Sequence, residues 1–264
     1  MSVSPSTELK STITASLRAA GCVFAEDEAR LLVSAASSAA GLDTMVARRV
    51  AGEPLEQVLG WAEFRDLRIA IEPGVFVPRR RTEYLASQAI MLAQQADSPV
   101  GVDLCCGSGA VGAALLAAVP GIELYATDID PEAVRCARRN IGSAGQVLEG
   151  DLYQPLPTAL RGRVDVLVAN APYVPTAAIA TMPPEARLHE ARVALDGGAD
   201  GLDVQRRVAA AATQWLAPGG HLLIETSERQ SSETSRIFAR NGLTPRVTSS
   251  DELDATVVIG LADS

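Results

Sequence analysis

The run Val100-Gly101-Val102-Asp103-Leu104, followed by Cys105-Cys106-Gly107-Ser108-Gly109-Ala110-Val111-Gly112, decides how this chain is read. The first five residues predict a short buried strand and the alanine-rich continuation a helix over about 110–118. The glycines between them allow a tight turn and close approach of a ligand to the main chain. Gly107, Gly109 and Gly112 satisfy the spacing G-x-G-x-x-G, and Asp128 follows 21 residues after Gly107 at the end of the next predicted strand. A carboxylate there can accept from two ribose hydroxyls, so this much fits a nicotinamide cofactor.

Outward from the turn, strands are predicted at about 100–104, 122–127, 146–149, 164–169 and 221–226, with helices at about 110–118, 131–140 and 203–216. Such alternation predicts a parallel α/β sheet. A helix near 228–240 precedes two strands, Leu243 to Ser249 and Ala255 to Leu261, a closing antiparallel hairpin unusual for a nicotinamide domain. Upstream, residues 7–59 read as three or four short helices divided at Gly21, Gly41 and Gly52-Glu53-Pro54. Phe64 to Ile71 alternate in polarity, then Glu72-Pro73-Gly74 and Val75 to Pro78 predict a hairpin, and a helix is expected from about Thr82 to Gln95. The expected division is a helical substrate-recognition domain over 1–60, a β-hairpin linker over 61–77 and a catalytic domain over 78–264.

The 264 residues carry 32 acidic and 23 basic side chains, a net charge of −9. That surface repels phosphate backbones, and the densest basic cluster, Arg79-Arg80-Arg81, is three long, so no direct nucleic-acid partner is expected. Cys22, Cys105, Cys106 and Cys136 have neither disulfide-framework nor zinc spacing, and His189 and His221 are the only histidines, so no metal is expected. The sequence has no window of 18 uncharged apolar residues and starts without a basic-then-apolar leader, which predicts a cytoplasmic protein with no membrane partner. Oligomeric state is open at this level.

The cofactor is chosen by charge. Asp103 stands just before the glycine turn, Asp128 ends the next strand, and Asp151 follows Glu149-Gly150 after the third. Acidic residues around the loop oppose a diphosphate but attract the sulfonium and ammonium groups of S-adenosylmethionine. Against this stand plainer roles: Asp103 capping the turn, Asp151 serving turn chemistry, and Cys105 and Cys106 acting as small buried hydrophobes.

The fourth strand, Val164 to Ala169, runs into Asn170-Ala171-Pro172-Tyr173. Polar and aromatic residues thus sit at the carboxyl end of a central strand, where open sheets bind ligands. A delocalised amide or aromatic amine nitrogen is a poor nucleophile and must be oriented to react. The Asn170 side-chain oxygen and the Ala171 carbonyl can accept its two N–H bonds. Pro172 stiffens the turn and has no N–H to compete, and Tyr173 offers a flat face to a planar group. Asn170, Pro172 and Tyr173 are the candidate catalytic residues, and an isolated turn is the plainer reading of the same tetrad.

Together the glycine turn, Asp128, Gly150-Asp151, the Asn170–Tyr173 tetrad and the run from His189 to Asp203 resemble the HemK/PrmC family of N5-glutamine methyltransferases. The resemblance implies a class I, Rossmann-like methyltransferase fold behind a small helical domain. It also implies S-adenosyl-L-methionine as methyl donor, leaving S-adenosyl-L-homocysteine, and as acceptor the GGQ glutamine of a peptide chain release factor. By resemblance, Cys105, Cys106, Gly107, Ser108 and Gly109 surround the cofactor's methionine part with Asp103. Asp128 and Ile129 take the ribose side, Asp151 and Leu152 the adenine, and Asn170 also borders the cofactor. Asn170, Ala171, Pro172 and Tyr173 hold the glutamine amide, with Arg79 and Glu190 on the substrate side. The chain departs from the family where Ala171 replaces a proline, Cys105 a glycine, and Arg80-Arg81 a proline and an acidic residue. Those changes keep a second acceptor open, a small-molecule or other planar amine. An oxidoreductase resting on the glycine spacing alone and a non-catalytic binding protein are the remaining classes.

Overall fold

A computed structural model describes residues 7–263. Met1 to Ser6 and Ser264 lie outside the described residues, and with them the reading of the amino terminus as leaderless and the outermost ends of the 1–60 and 78–264 units.

The amino-terminal region forms four helices, α1 (Thr7–Ala19), α2 (Ala25–Ala35), α3 (Ala39–Val50) and α4 (Leu55–Leu59). Apolar residues at helical spacing, among them Ile13, Leu17, Ala29 and Leu32, meet Leu42 and Val58 in a cluster of their own. Gly41 does not divide helices as expected. Ser38 caps α3 by accepting from the Gly41 N–H at 3.1 Å, so the break falls just before Ser38 and the glycine lies inside the first turn.

Next come β1 (Trp61–Phe64) and β2 (Leu67–Ala70), paired antiparallel around Arg65-Asp66. The hairpin turn is therefore not at Glu72-Pro73-Gly74. Arg65 and Asp66 take φ of 50° and 62°, the backbone of a primed two-residue turn, without the Asn-Gly or Asp-Gly that announces one. Phe64, Ile69 and Val77 are buried in the main core, and Asn140 accepts from the Ala70 N–H at 2.8 Å while donating to its carbonyl at 2.9 Å.

The rest of the chain runs α5 (Thr82–Ala93), β3 (Val100–Leu104), α6 (Ala110–Ala118), β4 (Glu123–Asp128), α7 (Pro131–Ile141), β5 (Gly145–Glu149), β6 (Val164–Ala169), α8 (Pro184–His189), α9 (Asp203–Ala212), β7 (Leu216–Thr226), α10 (Glu228–Arg240), β8 (Leu243–Ser250) and β9 (Ala255–Ala262). Seven strands join in the order β5-β4-β3-β6-β7-β9-β8. β3 to β7 are parallel, and β9 lies antiparallel between β7 and β8. β3 is buried along its whole length because helices cover both faces. α9 is shorter than its predicted reach to 216: Leu216 already pairs with Val164, and the register slips around Gly219-Gly220 before His221 meets Val166. From β3 the chain builds outward through β4 and β5, then returns to lay β6 on the other side. That reversal opens a crevice at the carboxyl ends of β3 and β6.

Candidate active site

One cavity occupies this crevice, and of the predicted site residues all but Gly109 and Glu190 line it. Its first half is acidic. Asp103, Asp128, Asp130 and Asp151 line it against one cation, Arg207, which is paired with Asp151 at 2.5 Å. Asp128 accepts from the Gly107 N–H at 2.8 Å and the Asp130 N–H at 3.0 Å, which ties the end of β4 to the glycine turn. Asp103 accepts from the Gly112 N–H at 3.0 Å, so it both caps the first turn of α6 and borders the cavity. Burial pushes the Asp103 carboxyl up to about 7 and raises Asp128 as well.

The turn itself is tightly built. Gly109 has φ +76°, and a Cβ there would stand 3.0 Å from that of Ala137 on α7, so the position favours glycine on both counts. Cys105, by contrast, holds φ 54° with a side chain in place, a left-handed backbone that costs a non-glycine residue energy. Burial pushes the Cys105 and Cys106 thiols well above their ordinary range, which disfavours the nucleophilic thiolate at both. Ile129 and Leu152 both line the cavity, the first half exposed and the second buried.

The second half carries Asn170, Ala171, Pro172 and Tyr173 as they leave β6, facing Phe76, Arg79, Arg81 and Thr82 from the strap that enters α5. Asn170 donates from Nδ2 to the Thr82 hydroxyl at 3.3 Å. Tyr173 donates to Glu225 Oε1 at 3.3 Å, and burial pushes its phenol up to about 12, so it stays protonated. Arg79 and Glu190 come together, but on each other: Glu190 takes the Arg79 guanidinium and the Val77 N–H and does not line the cavity.

Several residues that support this half were not singled out from sequence. Glu225, buried at the end of β7, is one; Gln230 of α10, which donates to the carbonyls of Tyr173 and Asp200 at 3.0 and 3.1 Å, is another. Gly197 and Gly201 lie in the run from His189 to Asp203 that entered the resemblance, which gave them no place in the site. A Cβ on Gly201 would stand 2.3 Å from the Tyr173 carbonyl oxygen, and one on Gly197 2.7 Å from that of Pro172, so this loop backs directly on the tetrad.

Residues 66–202 match the methyltransferase small domain family. The chain belongs to that family. A release factor glutamine methyltransferase of Geobacter sulfurreducens is 36% identical over 219 residues, 82% of this chain and 75% of the relative. A 4-amino-L-phenylalanine/4-methylamino-L-phenylalanine methyltransferase of Streptomyces pristinaespiralis is 35% identical over 203 residues, 75% of this chain and 69% of the relative. Among solved structures, a methyltransferase from Pyrococcus furiosus superposes with a TM-score of 0.58 at 16% identity, covering 84% of this chain and all of that one, a likeness of fold. This methyltransferase therefore has the Rossmann-like, mostly parallel sheet and small amino-terminal helical region of the class I enzymes, and is related to the HemK/PrmC proteins. The class uses S-adenosylmethionine, and the acidic half of the cavity suits that cation.

Proposed function

We propose that this chain carries a methyl group from S-adenosylmethionine to the side-chain amide nitrogen of a protein glutamine, the GGQ glutamine of a peptide chain release factor. The observation that carries this reading is a single cavity bordered by both the glycine turn after β3 and the Asn170–Tyr173 tetrad after β6. The release factor methyltransferase of Geobacter sulfurreducens supports the choice of acceptor.

The donor fits the acidic half, where four carboxyls face one paired arginine. Asp128 would hold the ribose with Ile129 beside it, Asp103 and Cys105 to Gly109 the methionine part, and Leu152 and Asp151 the adenine. When bound, the donor supplies an electrophilic methyl group on a sulfonium. The remaining chemistry belongs to the chain. Asn170 Oδ1 and the Ala171 carbonyl accept the two N–H bonds of the acceptor and aim its nitrogen; both contacts strengthen as that nitrogen gains positive charge, which is what accelerates transfer. Pro172 keeps a competing N–H out of the pocket, and Tyr173 lies against the planar group. The nitrogen gains one methyl and releases one proton. The amino-terminal helices α1 to α4 would read the rest of the protein acceptor, since Gln57 of α4 donates to the carbonyls of Val75 and His189, close in the chain to the cavity-lining Phe76 and Ala191.

A second acceptor, the aromatic amine of a free amino acid, is favoured by one feature. Arg81 lines the acceptor half where the resembling family carries an acidic residue, and the Streptomyces pristinaespiralis relative is named for such a substrate. Mass spectrometry separates the two. The protein, S-adenosylmethionine and either a release factor or 4-aminophenylalanine are incubated, with a release factor lacking the GGQ glutamine as control. One methyl group confined to that glutamine supports the first reading. Methylation of the amino acid alone replaces it with the second, and no transfer to either overturns both.

A further inference from the structure

Asparagine presents nearly the same outline with its amide turned either way, so something must decide that an oxygen faces the acceptor. Ala169 of β6 pairs with Ile224 of β7, so Asn170 leaves β6 beside Glu225, which is still in β7 and pairs with Val257 of β9. Thr82, at the start of α5, lies against both and is only 3% exposed. Its hydroxyl oxygen accepts from Asn170 Nδ2 at 3.3 Å, which leaves one hydroxyl proton to place.

The acceptor for that proton is beside it. Glu225 is 1% exposed, its Oε1 takes the Tyr173 hydroxyl at 3.3 Å and Arg81 Nε at 3.4 Å, and its buried Oε2 has no hydrogen-bond partner among the described residues. Burial raises the Glu225 carboxyl, while the neighbouring Thr82 hydroxyl, Arg81 and Tyr173 favour its charged form. A carboxylate only accepts. With the Thr82 proton turned to the open Oε2, the hydrogen bonds would run one way, from the Asn170 amide nitrogen to Thr82 and from Thr82 to Glu225.

We infer that Glu225, acting through Thr82, sets which end of the Asn170 amide faces the acceptor, so that Oδ1 and not Nδ2 meets the nitrogen to be methylated. This rests on the proposed role of Asn170 in binding that nitrogen. Glu225 and Thr82 are positioning residues, since neither is asked to touch the reacting atoms. With the amide reversed, two N–H groups would face each other and the acceptor would lose its partner.

Three variants test the relay. Thr82→Val keeps shape and removes the hydroxyl, Glu225→Gln can offer Thr82 an N–H and reverse the direction, and Thr82→Ser restores the hydroxyl. Turnover is measured on whichever acceptor the wild type methylates. Separately, the side-chain amide signals of Asn170 are followed by NMR in asparagine-labelled protein with S-adenosylhomocysteine, and assigned by their loss in Asn170→Asp. The relay predicts that Thr82→Val and Glu225→Gln each lower kcat by about 10-fold or more, with KM for S-adenosylmethionine within about two-fold. Both shift the Asn170 amide signals, and Thr82→Ser recovers signals and turnover lost in Thr82→Val. Unmoved amide signals in Thr82→Val and Glu225→Gln overturn the inference whatever the rates do. Moved signals with unaltered turnover overturn its link to the acceptor. A wild type that methylates no amide or amine refutes the proposed function instead, while the amide signals still report the relay.

Discussion

Arg79 and Glu190, 111 positions apart, are locked together: one guanidinium nitrogen reaches both carboxylate oxygens, at 2.6 and 2.7 Å. The Glu190 side chain is 1% exposed and Arg79 one-third exposed, and Glu190 also takes the Val77 N–H. The pair fastens the strap before α5 to the loop that follows α8. Both segments border the acceptor half of the cavity, so the pair governs how that half is held.

Removing the carboxylate should loosen that half and leave the other intact. Glu190→Ala leaves Arg79 without its partner and is expected to cost about 2 kcal/mol of stability, less than for a fully buried pair because Arg79 retains some water. The KM for the acceptor should rise several-fold while affinity for S-adenosylhomocysteine is unchanged. Thermal unfolding and calorimetric titration check the two halves of this prediction; equal losses at both sites would contradict it.

On the proposed donor site, Asp103 should make cofactor binding depend on pH. Its folded value of about 7 lies above the ordinary 3.8, owing to burial. Between those values the folded chain keeps a proton that the unfolded chain has lost, so this carboxyl makes stability fall as pH rises toward 7 and then level off. Asp128, also raised by burial, acts with the same sign. A cationic ligand beside Asp103 favours its carboxylate, so binding should expel a proton and tighten as pH passes upward through about 7. Titration of S-adenosylhomocysteine in buffers of different ionisation enthalpy measures that proton directly. Asp103→Asn should flatten the dependence, and an unaltered profile in the variant would assign it elsewhere.

Cys105 departs from the family's glycine at a position whose backbone favours one, with φ 54°. Restoring it should help. Cys105→Gly relieves the left-handed strain but gives the unfolded chain more freedom, for a net gain of about 0.5–1 kcal/mol and a Tm raised by about 1–4 °C. Differential scanning calorimetry decides it. A lower Tm would mean that the thiol's packing outweighs the strain.

How far the sequence could be read depended on whether the deciding interaction was local. β3, the glycine turn and α6 were legible because an apolar run, glycines and an alanine-rich stretch follow one another within the 19 residues from Val100 to Ala118. The β1–β2 turn was misplaced because Arg65 and Asp66 adopt positive φ without a glycine, held by the burial of Phe64 and Ile69 on either side. Gly41 looked like a break because the Ser38 cap before it counts for more than the glycine. Asn170 to Tyr173 stood out by their place after an apolar strand. Their supports did not: Tyr173 meets Glu225 across 52 positions and Gln230 across 57, contacts that exist once β6 and β7 lie side by side. A single glutamate ending the apolar run Leu222 to Ile224 was the signal available for the first of these.

The account stands most directly on Asn170, and a single-turnover measurement of Asn170→Ala tests it. With donor and acceptor saturating, transfer should slow by about 100-fold or more, because orientation of a weakly nucleophilic nitrogen is lost, while the folded variant binds S-adenosylhomocysteine as the wild type does. A folded, cofactor-binding Asn170→Ala protein that transfers methyl at the wild-type rate would contradict it.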